Sequence, residues 1–190
     1  MDIEIGAEAK DKAFNRRVAM TVVALSIFMG LAHVKDDNLV QAMQQAQARG
    51  VDSWGEYQAT KTKQHLDENS LVDIQALAAI GGAKTAAVSS AEIARLQKDV
   101  AKYKSEVPAL KTQAEGYQAQ YDALNIHDDQ FDACDALISI AISVAAVAAL
   151  VEAPWALWVS WAFGGLGVIM GLSGFLGWSL HSDFLAKVLS

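Results

Sequence analysis

Residues 136–180 read ALISIAISVAAVAALVEAPWALWVSWAFGGLGVIMGLSGFLGWSL. The run from Trp155 to Leu180 carries no formal charge. As a helix it would be about 39 Å long at ~1.5 Å per residue, enough to cross a hydrocarbon layer of ~30 Å with some tilt. The run from Ala136 to Val151 is also uncharged, and Phe131 and Cys134 extend it backwards. Only Glu152-Ala153-Pro154 separates the two runs, so they must fold as an antiparallel helical hairpin. Trp155, Trp158 and Trp161 cluster at one end of the last run and Trp178 lies at the other. Tryptophan prefers the two membrane interfaces, so this placement fits a full crossing.

A third apolar run lies far upstream, VAMTVVALSIFMGLAHV from Val18 to Val34. Lys10, Lys12, Arg16 and Arg17 precede it, and Lys35, Asp36 and Asp37 follow. The run is long for a signal-peptide core and lacks a small-x-small cleavage pattern, so it reads as a retained anchor. Composition agrees with a membrane protein. The 190 residues are 53% hydrophobic and 19% charged, against about 45–50% and about 25% in soluble domains. A net charge of −7 excludes the basic footprint that nucleic acid requires. The single cysteine, Cys134, excludes an internal disulfide framework and multi-cysteine metal sites.

Residues 35–130 are polar and rich in Ala, Gln and Lys, a composition suited to long helices. In the later half, Ile93, Leu96, Val100, Tyr103, Val107, Leu110, Ala114, Tyr117, Tyr121 and Leu124 recur at alternating spacings of three and four. That is a heptad seam. The earlier half offers Val40, Met43, Gln47, Gly50, Trp54, Tyr57 and Lys61 at the same spacing. Pairing Met43 with Tyr121, Gln47 with Tyr117, Gly50 with Ala114 and Trp54 with Leu110 centres the turn near residue 82. Gly81-Gly82 is the strongest helix stop in the segment. The sequence therefore predicts an antiparallel hairpin with its turn near 81–85. Pro108 should kink the returning arm or open a new helix with Ser105 as its N-cap. Asn69-Ser70 offers a competing break.

The expected organisation is a polar segment over 1–17, a first span over 18–34, and an extramembrane hairpin over 35–130. Spans over 131–151 and 155–180 follow, and a tail over 181–190 ends the chain. The fold class is an all-α membrane protein with three transmembrane helices and a coiled-coil stalk between the first and second. The basic N-terminal flank favours a cytoplasmic N-terminus, which places the stalk in the periplasm.

Two blocks carry a resemblance. Asp52, Trp54, Tyr57, Gln58 and Ala59 form D-x-W-x-x-Y-Q-A, and His127, Asp128, Phe131 and Asp132 form H-D-x-x-F-D. With the apolar segments around them they resemble the bacterial domain-of-unknown-function 4337 family, over about Val18 to Trp178. The resemblance implies this architecture and a bacterial membrane, here the inner membrane, and implies no mechanism.

Three constellations could carry chemistry. Gly164, Gly167, Gly171 and Gly174 recur on one helix face, and Gly167-x-x-x-Gly171 is a close-packing motif of membrane helices. Its partner is either the alanine-rich second span or another copy of the chain. Asp132 and Asp135 lie three residues apart at the mouth of the second span, where a carboxylate is a candidate ion or proton site. His127 and His181 come to the same end, with His33, Asp36, Asp37, Asp128, Asp129 and Asp183. Histidines and carboxylates together could bind a divalent metal, but solvated span ends and helix caps use the same residues. No His-Glu-x-x-His, P-loop or Gly-x-Ser-x-Gly is present. The expectation is thus a non-enzymatic structural or interaction protein without cofactor or resident metal. Its partners would be the lipid bilayer, other copies of itself and a further protein. Gly164, Gly167, Gly171, Gly174, Trp54, Tyr57, Tyr117 and Tyr121 would carry helix packing and homo-oligomerisation. The alternative is an ion or small-solute channel, or an auxiliary transport subunit, using Asp132 and Asp135.

Overall fold

The computed structural model describes the backbone of residues 2–178 and the side chains of residues 12–178. All described secondary structure is helical. Helix α1 (Asp2–Leu150) is broken at one residue, Gly82, and helix α2 (Pro154–Leu176) follows a short turn. Gly82 has φ 72° and ψ −168°, a region essentially closed to residues with a Cβ. The break divides α1 into a first arm over 2–81 and a second arm over 83–150.

The chain forms two compact units. One comprises the residues up to Met43 together with those from Asp122, and the other is Gln44–Tyr121.

In Gln44–Tyr121 the two arms lie side by side and antiparallel. A Cβ on Gly50 would lie 3.6 Å from Cβ of Tyr117, and Lys104 Nζ pairs with Glu68 at 2.9 Å. The returning arm buries or half-buries Ile93, Leu96, Val100, Tyr103, Val107, Leu110, Ala114 and Tyr117. The outgoing arm uses Ala46, Gly50, Ser53, Tyr57 and Thr60. This corrects one column of the expected seam. Gln47 and Lys61 are exposed and Trp54 is half-buried; Ala46, Ser53 and Thr60 take the places assigned to them. Gly50 consequently sits against Tyr117 rather than Ala114. The physical reason is volume: the returning arm brings bulky tyrosines, and small residues opposite them let the two backbones approach.

Two predicted interruptions do not occur. Pro108 lies on the exposed side of a helix that continues through it, so its missing N–H is not on a packed face. Ser105 is no N-cap; its hydroxyl donates back to the Lys102 carbonyl at 2.6 Å. Asn69 and Ser70 also remain helical.

In the other unit, the ends of both α1 arms pack with α2. Pro154 opens α2 after Ala153 in an extended conformation, and Gly177 closes it with φ 67°. Proline at the first helical position and a left-handed glycine after the last are the favoured ends. Gly164, Gly167, Gly171 and Gly174 are all buried, and their neighbours belong to this chain. A Cβ on Gly167 would come within 2.7 Å of Ile138 Cγ1 and 3.2 Å of the Cys134 carbonyl oxygen. On Gly171 it would meet Phe28 at 2.7 Å and Cys134 Sγ at 2.8 Å, and on Gly174 the ring of Phe131 at 2.8 Å. Of the two partners open to the glycine face, the chain itself fills it. Two side-chain hydrogen bonds add polar fixings: Ser160 Oγ donates to the Ala141 carbonyl at 2.7 Å, and Trp161 Nε1 to Thr21 Oγ1 at 2.9 Å.

Two outcomes check this packing. Oxidation should join a Gly50→Cys, Tyr117→Cys pair within one chain, because their Cβ separation lies in the disulfide range. A Gly50→Cys, Val107→Cys pair should stay reduced on non-reducing gels. In the helical unit, Gly167→Leu should lower thermal stability by about 1–3 kcal/mol through overpacking. Gly165→Ala, where a Cβ would meet nothing within 4 Å, should leave it unchanged or slightly raised.

Candidate functional site

The titratable side chains of the helical unit gather around the end of the glycine-packed region. The heptad pattern ends as the second arm enters its apolar run, and this brings Asp128, Asp132 and Asp135 alongside His33 and Asp36 of the first arm. The Asp36 and Asp128 carboxyl groups lie close enough to perturb each other's protonation. Nearby, His33 Nε2 lies 3.3 Å from Asp135 Oδ1. Asp36 Oδ1 is shielded from solvent and accepts no hydrogen bond, and Asp135 Oδ1, equally shielded, has the His33 ring nitrogen beside it.

Asp132, Asp135, His33 and Asp36 line a small cavity with Met29, Ala32 and Phe131, about 40 Å³ in volume. The sequence therefore placed Asp132 and Asp135 together correctly on one face, and the first arm supplies the rest of the wall. His127 is not part of it. Its Nδ1 lies 3.1 Å from Gln130 Oε1. His181 lies outside the described residues. No group of three or more His, Cys, Asp or Glu among the described residues is arranged to hold a metal ion.

Gln130 was missed by sequence reasoning. It is fully buried, and its Nε2 donates to the Trp178 carbonyl at 2.8 Å. It thus ties the second arm to the C-terminal end of α2. The signal was a lone amide between the acidic pair Asp128-Asp129 and Phe131, at a position where the apolar run begins. A buried amide must be satisfied, and the carbonyl exposed at a helix end is a natural acceptor.

Burial raises the Asp36 and Asp128 pKa values, and mutual repulsion adds to it. Asp128 is pushed from 3.8 to about 6 by desolvation and then by the charges of Asp36, Asp132 and Asp129. Asp36 is raised by burial, Asp132 and Asp37, with His33 acting the other way. Chemically, this is a cluster of carboxyl groups between two helices in which Asp128 keeps its proton to a higher pH than an ordinary aspartate.

The second candidate surface lies within Gln44–Tyr121. Ala46, Gly50, Val51 and Trp54 on one arm and Tyr117, Gln118 and Tyr121 on the other line a groove of about 250 Å³, with Gln47 at its edge. Trp54 meets Tyr57 edge-to-face with ring centroids 5.4 Å apart, and Lys61 Nζ lies 5.7 Å from the Tyr57 centroid. The groove is wide here because glycine and alanine face tyrosines that lean aside. Of the four aromatic residues singled out in the sequence, Trp54, Tyr117 and Tyr121 line it, and Tyr57 stands behind Trp54.

Residues 14–177 match the family described as Domain of unknown function (DUF4337). The match takes in most of the first arm of α1, all of the second arm and all of α2, and the chain belongs to that family. No curated protein and no solved structure matches the chain.

The raised pKa of Asp128 gives stability a pH dependence. The folded chain holds a proton on Asp128 up to about pH 6, while the unfolded chain releases it near its ordinary value of 3.8. The folded state therefore binds more protons in that window, and stability falls as pH rises through it. Thermal unfolding of the full chain should occur at a higher temperature at pH 5 than at pH 7.5. Asp128→Asn, whose amide can still donate to Asp36, should flatten that difference and match or exceed the native chain at pH 7.5. A native profile flat from pH 4 to 7.5 would contradict the raised Asp128 pKa.

Proposed function

We propose that the chain is a membrane-anchored structural or interaction protein without enzymatic activity. Its three transmembrane segments lie within 18–34, 131–150 and 154–176, and the hairpin within 35–130 stands outside the membrane as a coiled-coil stalk. One observation carries this reading. The helices long and apolar enough to cross a membrane bury only 33% of their most apolar windows. Met20, Val23, Ile27, Leu31 and Val34 on the first arm are exposed, as are Leu166, Ile169, Leu172 and Leu176 on α2. A core helix of a soluble domain covers such a face, whereas a bilayer solvates it. Trp155 and Trp158 at one end and Trp178 at the other are exposed too, at the two levels an aromatic belt occupies.

The basic flank of the first span places the N-terminus in the cytoplasm and the stalk in the periplasm of a bacterial inner membrane. The stalk then presents helix surfaces to partners, first of all other copies of the chain. The glycine face is occupied within the chain, so self-association falls to the aromatic groove. A large half-buried tryptophan beside an open groove is the kind of side chain that dominates interface energetics.

A second reading rests on the cavity under Asp132 and Asp135. The shielded carboxylate oxygens of Asp36 and Asp135 favour a small cation or a proton there, as in a channel or an auxiliary transport subunit. Ion flux from proteoliposomes, abolished by Asp132→Asn with Asp135→Asn, would favour it over a purely structural role.

Membrane anchoring and self-association are checked together. The chain should stay in the membrane fraction after alkaline carbonate extraction. In mild detergent its particle mass should exceed one copy, and Trp54→Ala should shift that mass towards the monomer. A native chain of single-copy mass in detergent and in nanodiscs defeats the oligomer. A cysteine at Lys84 should react with a membrane-impermeant thiol reagent in cells stripped of their outer barrier. Labelling only after lysis would put the stalk in the cytoplasm.

A further inference from the structure

The hairpin reverses its own polarity pattern at the turn. Over most of its length the returning arm turns large apolar residues inward. Near Gly82 the half-buried positions are Ala78, Thr85 and Ser89, while the large apolar residues point away. Leu77 is 61% exposed, Ile80 85% and Val88 83%. Hairpin stability would be served by the opposite arrangement, since small seam residues bury little area and exposed aliphatic ones bury none. The turn itself is built rather than frayed. Thr85 Oγ1 donates to the Gly81 carbonyl at 3.0 Å, and a Cβ on Gly81 would collide with the Thr85 side chain. A fixed turn thus carries three aliphatic side chains outward, on both arms.

The charge pattern narrows what covers them. Between Asp73 and Glu92 the one charged residue is Lys84. Two such tips meeting end to end would bring like charges together as they desolvate, which disfavours a second copy. A membrane surface offers the complement: acyl chains for Leu77, Ile80 and Val88, and phosphates for Lys84. Val88 is six residues beyond Gly82, so the patch extends about 9 Å along the returning arm. That is close to the ~5–10 Å depth at which amphipathic segments sit in the headgroup region. The tip lies about 57 Å along the helical arm from Gln44.

From these observations we infer that the hairpin tip, Leu77, Ile80, Lys84 and Val88, is a docking surface for an anionic lipid surface. The inference rests on the membrane-anchored reading above and names one partner of that stalk.

The test uses the full chain in nanodiscs of zwitterionic phosphatidylcholine. Protein-free vesicles of phosphatidylcholine with 30% phosphatidylglycerol are then added, and co-flotation is measured. Incorporation into the nanodiscs is scored first. Native discs should float with the anionic vesicles. Ile80→Glu with Val88→Glu should reduce the bound fraction by tenfold or more while helix content by circular dichroism stays native. Lys84→Gln should weaken binding about fivefold, the share expected for one charge near the surface, and should have no effect on residual binding to pure phosphatidylcholine vesicles. Equal flotation of native and doubly substituted chains, or none by either, overturns the tip inference and leaves the anchoring intact. Disc-to-disc association without vesicles, lost in the double variant, also overturns it and makes a second copy the partner. A chain that fails to enter nanodiscs defeats the anchored reading and the inference with it.

Discussion

The close approach of α2 to both arms of α1 is the constraint on which the helical unit depends. Four glycines at spacings of three and four remove the side chains from one face of α2. The backbones then come near enough that any Cβ there would collide with Leu25, Phe28, Phe131, Cys134 or Ile138. Every neighbour is in effect a knob placed where a side chain is missing. In a bilayer such packing has to replace the hydrophobic effect, because lipid tails are as apolar as the helices. The rings of Phe131 and Phe28 each meet Phe175 edge-to-face, with centroids 5.4 and 6.3 Å apart. The aromatic contacts therefore continue the glycine packing to the end of α2.

That same closeness accounts for the acidic cluster. Once Phe131 is fixed against Gly174, the residues one turn to either side, Asp128 and Asp135, are carried against the first arm. Asp36 and His33 stand there because they follow the apolar run of that arm. Nothing in the packing requires acids at these points, and burial of two carboxyl groups opposes folding at neutral pH. Gln130 does the opposite. It spends its amide on the Trp178 carbonyl and so satisfies a helix end that would otherwise be left open. The end of the unit therefore combines a polar tie between Gln130 and Trp178 with a carboxyl cluster whose charge burial opposes.

The sequence made some of this legible, for identifiable reasons. Apolar residues repeated every three and four positions reveal which face of a helix is covered, and the returning seam was readable because its members are large. The outgoing seam was misread in one column because its true members, Ala46, Ser53 and Thr60, are small and partly polar. Hydrophobic periodicity favoured Trp54 over Ser53, although the contact between the two arms takes the smaller residue. The glycine pair marked the break because Gly82 adopts a backbone conformation that other residues avoid. Pro108 misled because a proline on the exposed side of a helix removes a hydrogen bond without meeting a neighbour. The pairing of Asp36 with Asp128 was out of reach, since spacing along one helix carries no information about which residue of another arm will face it. Gln130 was out of reach for the same reason, its acceptor being 48 positions away in the sequence.

The two units use small residues to different ends. In α2 the glycines lie opposite large neighbours, the gap is filled, and the result is close packing with no free surface on that face. In the hairpin, Gly50 and Ala46 also lie opposite tyrosines, yet a groove of about 250 Å³ remains beside Trp54. Toward the turn the pattern goes further, with alanine, threonine and serine inside and leucine, isoleucine and valine outside. A two-helix hairpin has little core to spare. Giving up its largest aliphatic side chains to the exterior sacrifices stability that the hairpin could have kept by exchanging them with their small neighbours. Such an arrangement is understandable where the exposed residues are covered by something beyond the hairpin, and it is this asymmetry, more than exposure alone, that carries the proposal of an interaction surface at the tip.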